Sequence, residues 1–258
     1  MNLGIMNYED DLKRIRLDIL EMAYKGQEGH IPSAFSVAEI LYVIYSKKKE
    51  EDVFFLSKGH ASAALYAVLA HFGHLDRREL TTFCQYDSLL GGHPHRRGKI
   101  IMNSSGSLGH GFPMAAGYAL SKKIKNEPGR VFCLVGDGEC NEGTIWETAM
   151  YASHLNLSNL VCIVDNNNSQ TRAIPSVSLK EKFASFGWKI DEIDGHNVLE
   201  IERALFGKRV KQLIKPLAVI ANTIKGRGIK AMENDHFAWH HRVPTETEFN
   251  LFKAELLL

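Results

Sequence analysis

Five short apolar runs, "VFFLS" from position 53, "VFCLVG" from 131, "LVCIVD" from 160, "GWKIDEID" from 187 and "PLAVIANT" from 216, alternate with longer stretches of helical spacing. A run of four to eight apolar residues rich in β-branched types and bounded by turn residues reads as a strand, buried where it lacks polar alternation. Strands that alternate with helices are joined by crossovers, so they lie parallel and carry helices on both faces. The pattern predicts an α/β fold: a three-layer, doubly wound, mainly parallel sheet.

The flanking segments agree. In "DDLKRIRLDILEMAYKG" the apolar residues Leu12, Ile15, Ile19 and Met22 share one helix face, and Gly26 follows as a stop. "SVAEILYVIYS" is a second helical pattern with a serine at its start, and the charge run "KKKEED" reads as a solvated loop. "PTETEFNLFKAELLL" opens a last helix through a capping box, Thr245 with Glu248. Neither an internal repeat nor a linker rich in Pro, Gly or Ser divides the chain, so residues 1–258 are expected to form one domain.

Bulk charge names no partner. With 31 basic and 30 acidic side chains the net charge is +1, and no field draws the chain to nucleic acid or an anionic membrane. Cys84, Cys133, Cys140 and Cys162 lack the paired short spacing of a thiolate metal site. No apolar run approaches the roughly 18 residues that cross a bilayer, and no leader pattern opens the chain, so the cytoplasm is the expected compartment.

"LVGDGECNEG", residues 134–143, sets Asp137 between Gly136 and Gly138 in the turn after a strand. Open α/β sheets bind ligands at that edge. The glycines admit a phosphate to the backbone, and a following helix offers it a positive end. An acid in such a place calls for a cation between itself and the phosphate. The next strand ends in "NNNSQ", which puts Asn167 beside Asp137. A carboxylate, an amide and a backbone carbonyl at Ser169 form a hard oxygen set for Mg²⁺ or Ca²⁺. Gly, Asp and Asn also favour turns whatever the function; here spacing and context favour the ion. A P-loop is excluded, since no Lys-Ser or Lys-Thr follows the last glycine, and Asn141 stands where a dinucleotide fingerprint needs Gly.

The stretches "GHIPSAFSVAEILYVIY", "FLSKGHASAALYAVL", "GGHP", "SSGSLGHGFPMAAGYAL", "GDGECNEGTIWETAMYASHLNLSNLVCIVDNN", "DGHN", "TIKGRG" and "AWHHRVPTETE" run in this order over almost the whole chain. The ordered set resembles the N-terminal region of the transketolase family. That resemblance implies a thiamine diphosphate-binding fold with Asp137, Asn167 and the Ser169 carbonyl as metal ligands. It places Gly136, Gly138 and Glu139 beside the cofactor, the Gly138 amide reaching the diphosphate. His60 and a histidine of "AWHH", His240 in preference to His241, reach the diphosphate as well. Gly106 and Leu108 lie against the aminopyrimidine. Lys225 approaches the diphosphate, with a solvated loop lysine as the alternative. His30 and His93 line the substrate entrance, and Glu142 joins a carboxylate network at a subunit interface, its alternative being a first-turn glutamate favoured by the helix dipole. His30, His60, His93, His240 and Glu142 make up the implied catalytic set. Histidine suits it, donating to an oxygen that gains charge and moving protons near neutral pH.

The implied reaction is transfer of a two-carbon ketol unit from a ketose or ketose phosphate to an aldose. Only the first of three transketolase domains is resembled, and the capped helix after "HHRVP" looks like a natural end. A split enzyme is expected, with a C-terminal transketolase subunit of about 300 residues supplying the pyrimidine-binding and C-terminal domains in a heterodimer or heterotetramer. Two departures bear on substrate choice: "GHIPSAFS" replaces a glycine-rich loop, so that Pro32 and Ser33 stiffen the mouth, and His110 stands where Gln is common. The alternatives are a decarboxylating synthase, a 2-oxo acid dehydrogenase component, or a non-catalytic stabilising subunit.

Overall fold

The computed structural model describes residues 8–170, 174 and 178–258. Strands β1 (Val53–Leu56), β2 (Val131–Gly136), β3 (Leu160–Asn166), β4 (Lys189–Asp194) and β5 (Leu217–Asn222) form one sheet in the order β1-β2-β3-β5-β4. Every pairing is parallel, and β2 and β3 run in register from Val131 opposite Leu160 to Gly136 opposite Asp165. All five strands coincide with the apolar runs read from the sequence.

Successive side chains on a strand point to opposite faces. Phe132 and Leu134 therefore enter one core with Val161, Ile163, Leu217 and Val219, while Val131, Cys133 and Val135 enter the other with Cys162, Val164 and Ile220. The first core is closed by helices α1 (Tyr8–Gly26), α2 (Ile31–Phe35), α3 (Ala38–Lys47), α4 (Ser62–His71), α8 (Val198–Phe206), α9 (Lys230–Asn234) and α10 (Glu246–Leu257). The second is closed by α5 (Gly111–Ile124), α6 (Gly143–His154) and α7 (Leu179–Ser185). Each fully buried Val, Leu, Ile or Phe contributes about 1.5–3 kcal/mol, which makes the two cores the main source of stability. Edge strand β4 exposes Lys189, Glu192 and Asp194, the charged edge that blocks pairing with another sheet.

Leu12, Ile15, Ile19 and Met22 are buried as the periodicity requires, and Thr245 and Glu248 form the reciprocal capping box. Two local expectations change, and the serine that starts the second helical pattern has a role of its own. Ser36 does not cap α3, whose N-cap is Val37; its hydroxyl turns inward and donates to Asp165 Oδ2 at 2.7 Å, a buried carboxylate being the stronger acceptor. "GHIPSAFS" is not a loop, because Pro32 lies in the first turn of α2, where its missing N–H leaves no helical bond unmade. Asp52, in the supposed solvated run, is buried and accepts from the backbone N–H groups of Lys49 and Arg130.

Candidate cofactor and metal site

The ends of β2 and β3 are stapled together, since Asp137 N–H donates to the Asp165 carbonyl at 3.1 Å. Asp137 caps a single 3-10 turn, Gly138–Asn141, which separates it from α6 by one turn more than the sequence suggested. Its Oδ1 accepts from Gly138 N–H and from Ser169 Oγ, both at 2.8 Å. Its Oδ2 is buried and has no hydrogen-bond partner. A Cβ added to Gly138 would meet nothing nearer than Ser169 Oγ at 3.9 Å, so the chain's own packing does not demand glycine there.

Asn167 is oriented from below. Its amide nitrogen donates to Asp165 Oδ2 at 2.8 Å, which leaves Oδ1 turned towards Ser169, whose N–H it accepts at 3.1 Å. Asp165 is fully buried and also receives Ser36, Thr223 and the ammonium of Lys58, itself only 1% exposed. Burial opposes the charge on Asp165, but Lys58 and the hydroxyl donors hold its carboxyl below the usual range. Lys58 also donates to the Ser33 carbonyl at 3.3 Å, tying β1 and α2 to the same centre.

Five imidazoles gather over this edge. His30, in a left-handed conformation (φ 63°), lies 5.4 Å from His60, 6.2 Å from His93, 5.5 Å from His240 and 4.5 Å from His241, measured between ring centroids. Burial, together with His241 and His240, pulls the His30 pKa down to about 4. Burial and Lys58 hold His60 well below the ordinary imidazole range. Lys225 is 3% exposed, 2.9 Å from His240 Nδ1, and burial with Lys58 pulls its amine down to about 8. The solvated reading of Lys225 is thus excluded. The two adjacent histidines are also separated: His240 faces Lys225, while His241 faces Glu28 at 2.9 Å.

The family described as "Transketolase, thiamine diphosphate binding domain" matches residues 8–256. The chain belongs to the transketolase family. It is 33% identical to one subunit of an apulose-4-phosphate transketolase from Phocaeicola vulgatus, over 96% of this chain and 92% of that one. It is 36% identical to a 6-deoxy-6-sulfo-D-fructose transketolase subunit of a Clostridium species, over 94% and 93%. A crystal structure of Campylobacter jejuni transketolase superposes with a TM-score of 0.87 at 29% identity, covering all of this chain and 43% of that one. Thiamine diphosphate is the family's cofactor, and the names of its whole-length relatives, each a subunit of a transketolase, imply a partner chain.

The transketolase chain has the donors such a cofactor and its cation require. An ionised carboxylate with an orphaned buried oxygen is costly unless a cation satisfies it. Burial pushes the Asp137 carboxyl upward. Asp137 Oδ2 and Asn167 Oδ1 are hard oxygen donors, and Lys225 adds an ammonium near by. Ser169 enters by its hydroxyl, on Asp137, a role not foreseen for it.

The remaining expected residues fall into two groups. Leu108 is half-buried, and Gly106 and Glu142 are exposed on the open side. Glu142 is the N-cap of α6 but makes no side-chain cap. Glu139 is buried and its oxygens are committed to Ser57 Oγ, Gly109 N–H and Gly136 N–H, so it braces two loops and the end of β2. Lys58, Asp165, Ser36 and Thr223 escaped the sequence reading. The one available signal was a lysine just after the first apolar run and an aspartate closing the third, at the edge where charge is otherwise unexplained.

Proposed function

We propose that this chain is the diphosphate- and metal-holding subunit of a two-polypeptide transketolase, which moves a two-carbon ketol unit from a ketose or ketose phosphate to an aldose. Residues 1–258 serve as one diphosphate and metal domain, and a C-terminal transketolase subunit completes the site in a heterodimer or heterotetramer. The observation that carries this reading is the orphaned Oδ2 of Asp137 beside the oriented amide of Asn167. A cytoplasmic setting agrees with four free cysteines, and no helix among the described residues is long and apolar enough to cross a membrane.

Asp137, Asn167 and Ser169 hold Mg²⁺ or Ca²⁺. Gly136 and Gly138 admit the diphosphate to the backbone, and Lys225, His60 and His240 face its charge. Thiamine diphosphate, when bound, supplies the carbon nucleophile that carries the transferred unit. His30 and His93 line the entrance. His30 stays neutral throughout the neutral range, and with Nδ1 on Glu28 its other ring nitrogen is left for a sugar hydroxyl.

The test is calorimetry of thiamine diphosphate with Mg²⁺, on the chain alone and co-expressed with a transketolase C-terminal half, in the original sequence and in Asp137→Asn. Tight binding in the pair that falls by about 100-fold or more in Asp137→Asn supports the reading. Removing a buried charge with an unpaired oxygen also leaves the metal-free fold as stable as before or slightly more so. A stable pair that binds no cofactor, or binding indifferent to Asp137→Asn, overturns it.

A further inference from the structure

We propose that Glu28, His30 and His241 form a second cation site at the mouth, one that takes a Zn²⁺-type transition ion and excludes donor sugar while it is filled. Glu28 Oε1 lies 3.3 Å from His30 Nδ1 and 2.9 Å from His241 Nε2, and the three donor atoms fall within 4.8 Å of one another. Zinc bonds to imidazole nitrogen and carboxylate oxygen of about 2.0–2.1 Å, arranged tetrahedrally, set neighbouring ligands about 3.3 Å apart. The two carboxylate–imidazole separations already lie within about half an ångström of that spacing, and the two imidazole nitrogens, within 4.8 Å of each other, close on the ion. In the empty site each imidazole shares a hydrogen with Glu28; on binding, that hydrogen moves to the other ring nitrogen and the freed lone pair turns to the metal.

The donor chemistry separates this site from the oxygen set at Asp137. Two imidazole nitrogens and one carboxylate suit Zn²⁺, Ni²⁺ or Cu²⁺, whereas Mg²⁺ and Ca²⁺ prefer oxygen throughout. Three protein ligands leave a fourth position open to water, the arrangement of a reactive or exchangeable zinc site rather than a closed structural one. His241 has 61% of its side chain exposed, so an ion enters from solvent without opening the fold.

The three ligands are also held in place before any ion arrives. A Cβ on Gly29 would lie 2.6 Å from the His241 carbonyl carbon, so only glycine lets segment 28–30 pack against the backbone at 241. On the other side a Cβ on Gly92 would lie 3.2 Å from Glu28 Cδ, which presses the "GGHP" loop against the carboxylate. Three chain segments thus bring the donor residues together at the level of the backbone.

Binding itself does not depend on the functional reading; exclusion of donor sugar rests on it, because the ion occupies His30. The experiment titrates Zn²⁺ into the full chain by calorimetry under excess Mg²⁺, with Co²⁺ visible absorption reporting the geometry, in the original sequence and in Asp137→Asn, Glu28→Gln and His241→Ala. Circular dichroism confirms that each variant folds. One ion per chain is expected, unchanged in Asp137→Asn and weakened about 10- to 100-fold or more in Glu28→Gln and in His241→Ala. In the assembled enzyme, the same Zn²⁺ concentration raises the KM for donor ketose with little change in kcat. No binding under excess Mg²⁺, or equal affinity in Glu28→Gln and His241→Ala, overturns the site. If the assembly transfers no ketol unit at all, the isotherms still decide it.

Discussion

Asp165 and Lys58 hold the site from beneath without reaching its mouth. Their pair is fully buried, so taking away one partner strands the other's charge. Lys58→Met is expected to cost about 3–5 kcal/mol in urea unfolding, and to loosen metal affinity through Asn167, whose orientation depends on Asp165. A loss below about 1 kcal/mol would show that Asp165 simply protonates and that the pair is dispensable. His30 makes a second prediction. Its pKa of about 4 lies below the ordinary 6.5, so between these values the unfolded chain binds more protons than the folded one. Its contribution to stability is complete above pH 6.5 and is lost as pH falls towards 4. His30→Asn should flatten the stability profile across that window, and an unchanged slope would place the titration elsewhere. The proximity of Asp137 and Asn167 was legible because two turn residues recur at strand ends with fixed spacing. Asp165 was not, because an aspartate closing a strand reads as turn chemistry until Ser36, Thr223, Lys58 and Asn167 converge on it in space.

At the scale of elements, the strands were legible because burial on both faces leaves nearly unbroken apolar runs, and only the edge strand β4 dilutes that signal with charge. The short helices were not, since five residues carry too little periodicity. Helix α2 shows what that hid: its Pro32 carbonyl accepts from Gly226 N–H at 3.0 Å and its Ser33 carbonyl from Lys58, so the turn ties the Lys225 loop to the mouth. Pro32→Gly is expected to lower stability by about 0.5–1 kcal/mol, chiefly by freeing the unfolded chain. Because α2 contributes no donor to the Asp137 centre, calorimetric affinity for thiamine diphosphate with Mg²⁺ should change less than threefold while donor KM rises. An affinity loss equal to the rise in KM would instead make α2 part of the cofactor cradle.

At the scale of the whole molecule, the flank of α5 and α6 carries exposed apolar side chains. Met114, Tyr118, Met150, Tyr151 and Leu155 expose large apolar side chains along α5 and α6, beside a groove of about 310 Å³ lined by Pro113, Leu120 and Tyr151. Large apolar side chains exposed beside a groove are the kind of surface that marks an interaction site. The flank adjoins the proposed cofactor site in the chain, since the segment of Leu108 leads into α5 and Glu142 immediately precedes α6. The chain spans 43% of the Campylobacter jejuni transketolase it superposes on, so the proposed C-terminal subunit is the occupant that fits. Tyr151 is 62% exposed, and Tyr151→Glu should leave chemical unfolding within about 0.5 kcal/mol of the original. A buried aromatic anchor is worth about 2 kcal/mol or more, so a carboxylate in its place should weaken association with that subunit by roughly 30-fold or more in sedimentation or surface-binding measurements. Thiamine diphosphate binding, if the groove between subunits completes its site, must fall with it at fixed subunit concentration and recover when the partner is raised. Unaltered association would mean that the partner docks elsewhere, and that the α5–α6 flank is not what joins the two halves of the enzyme.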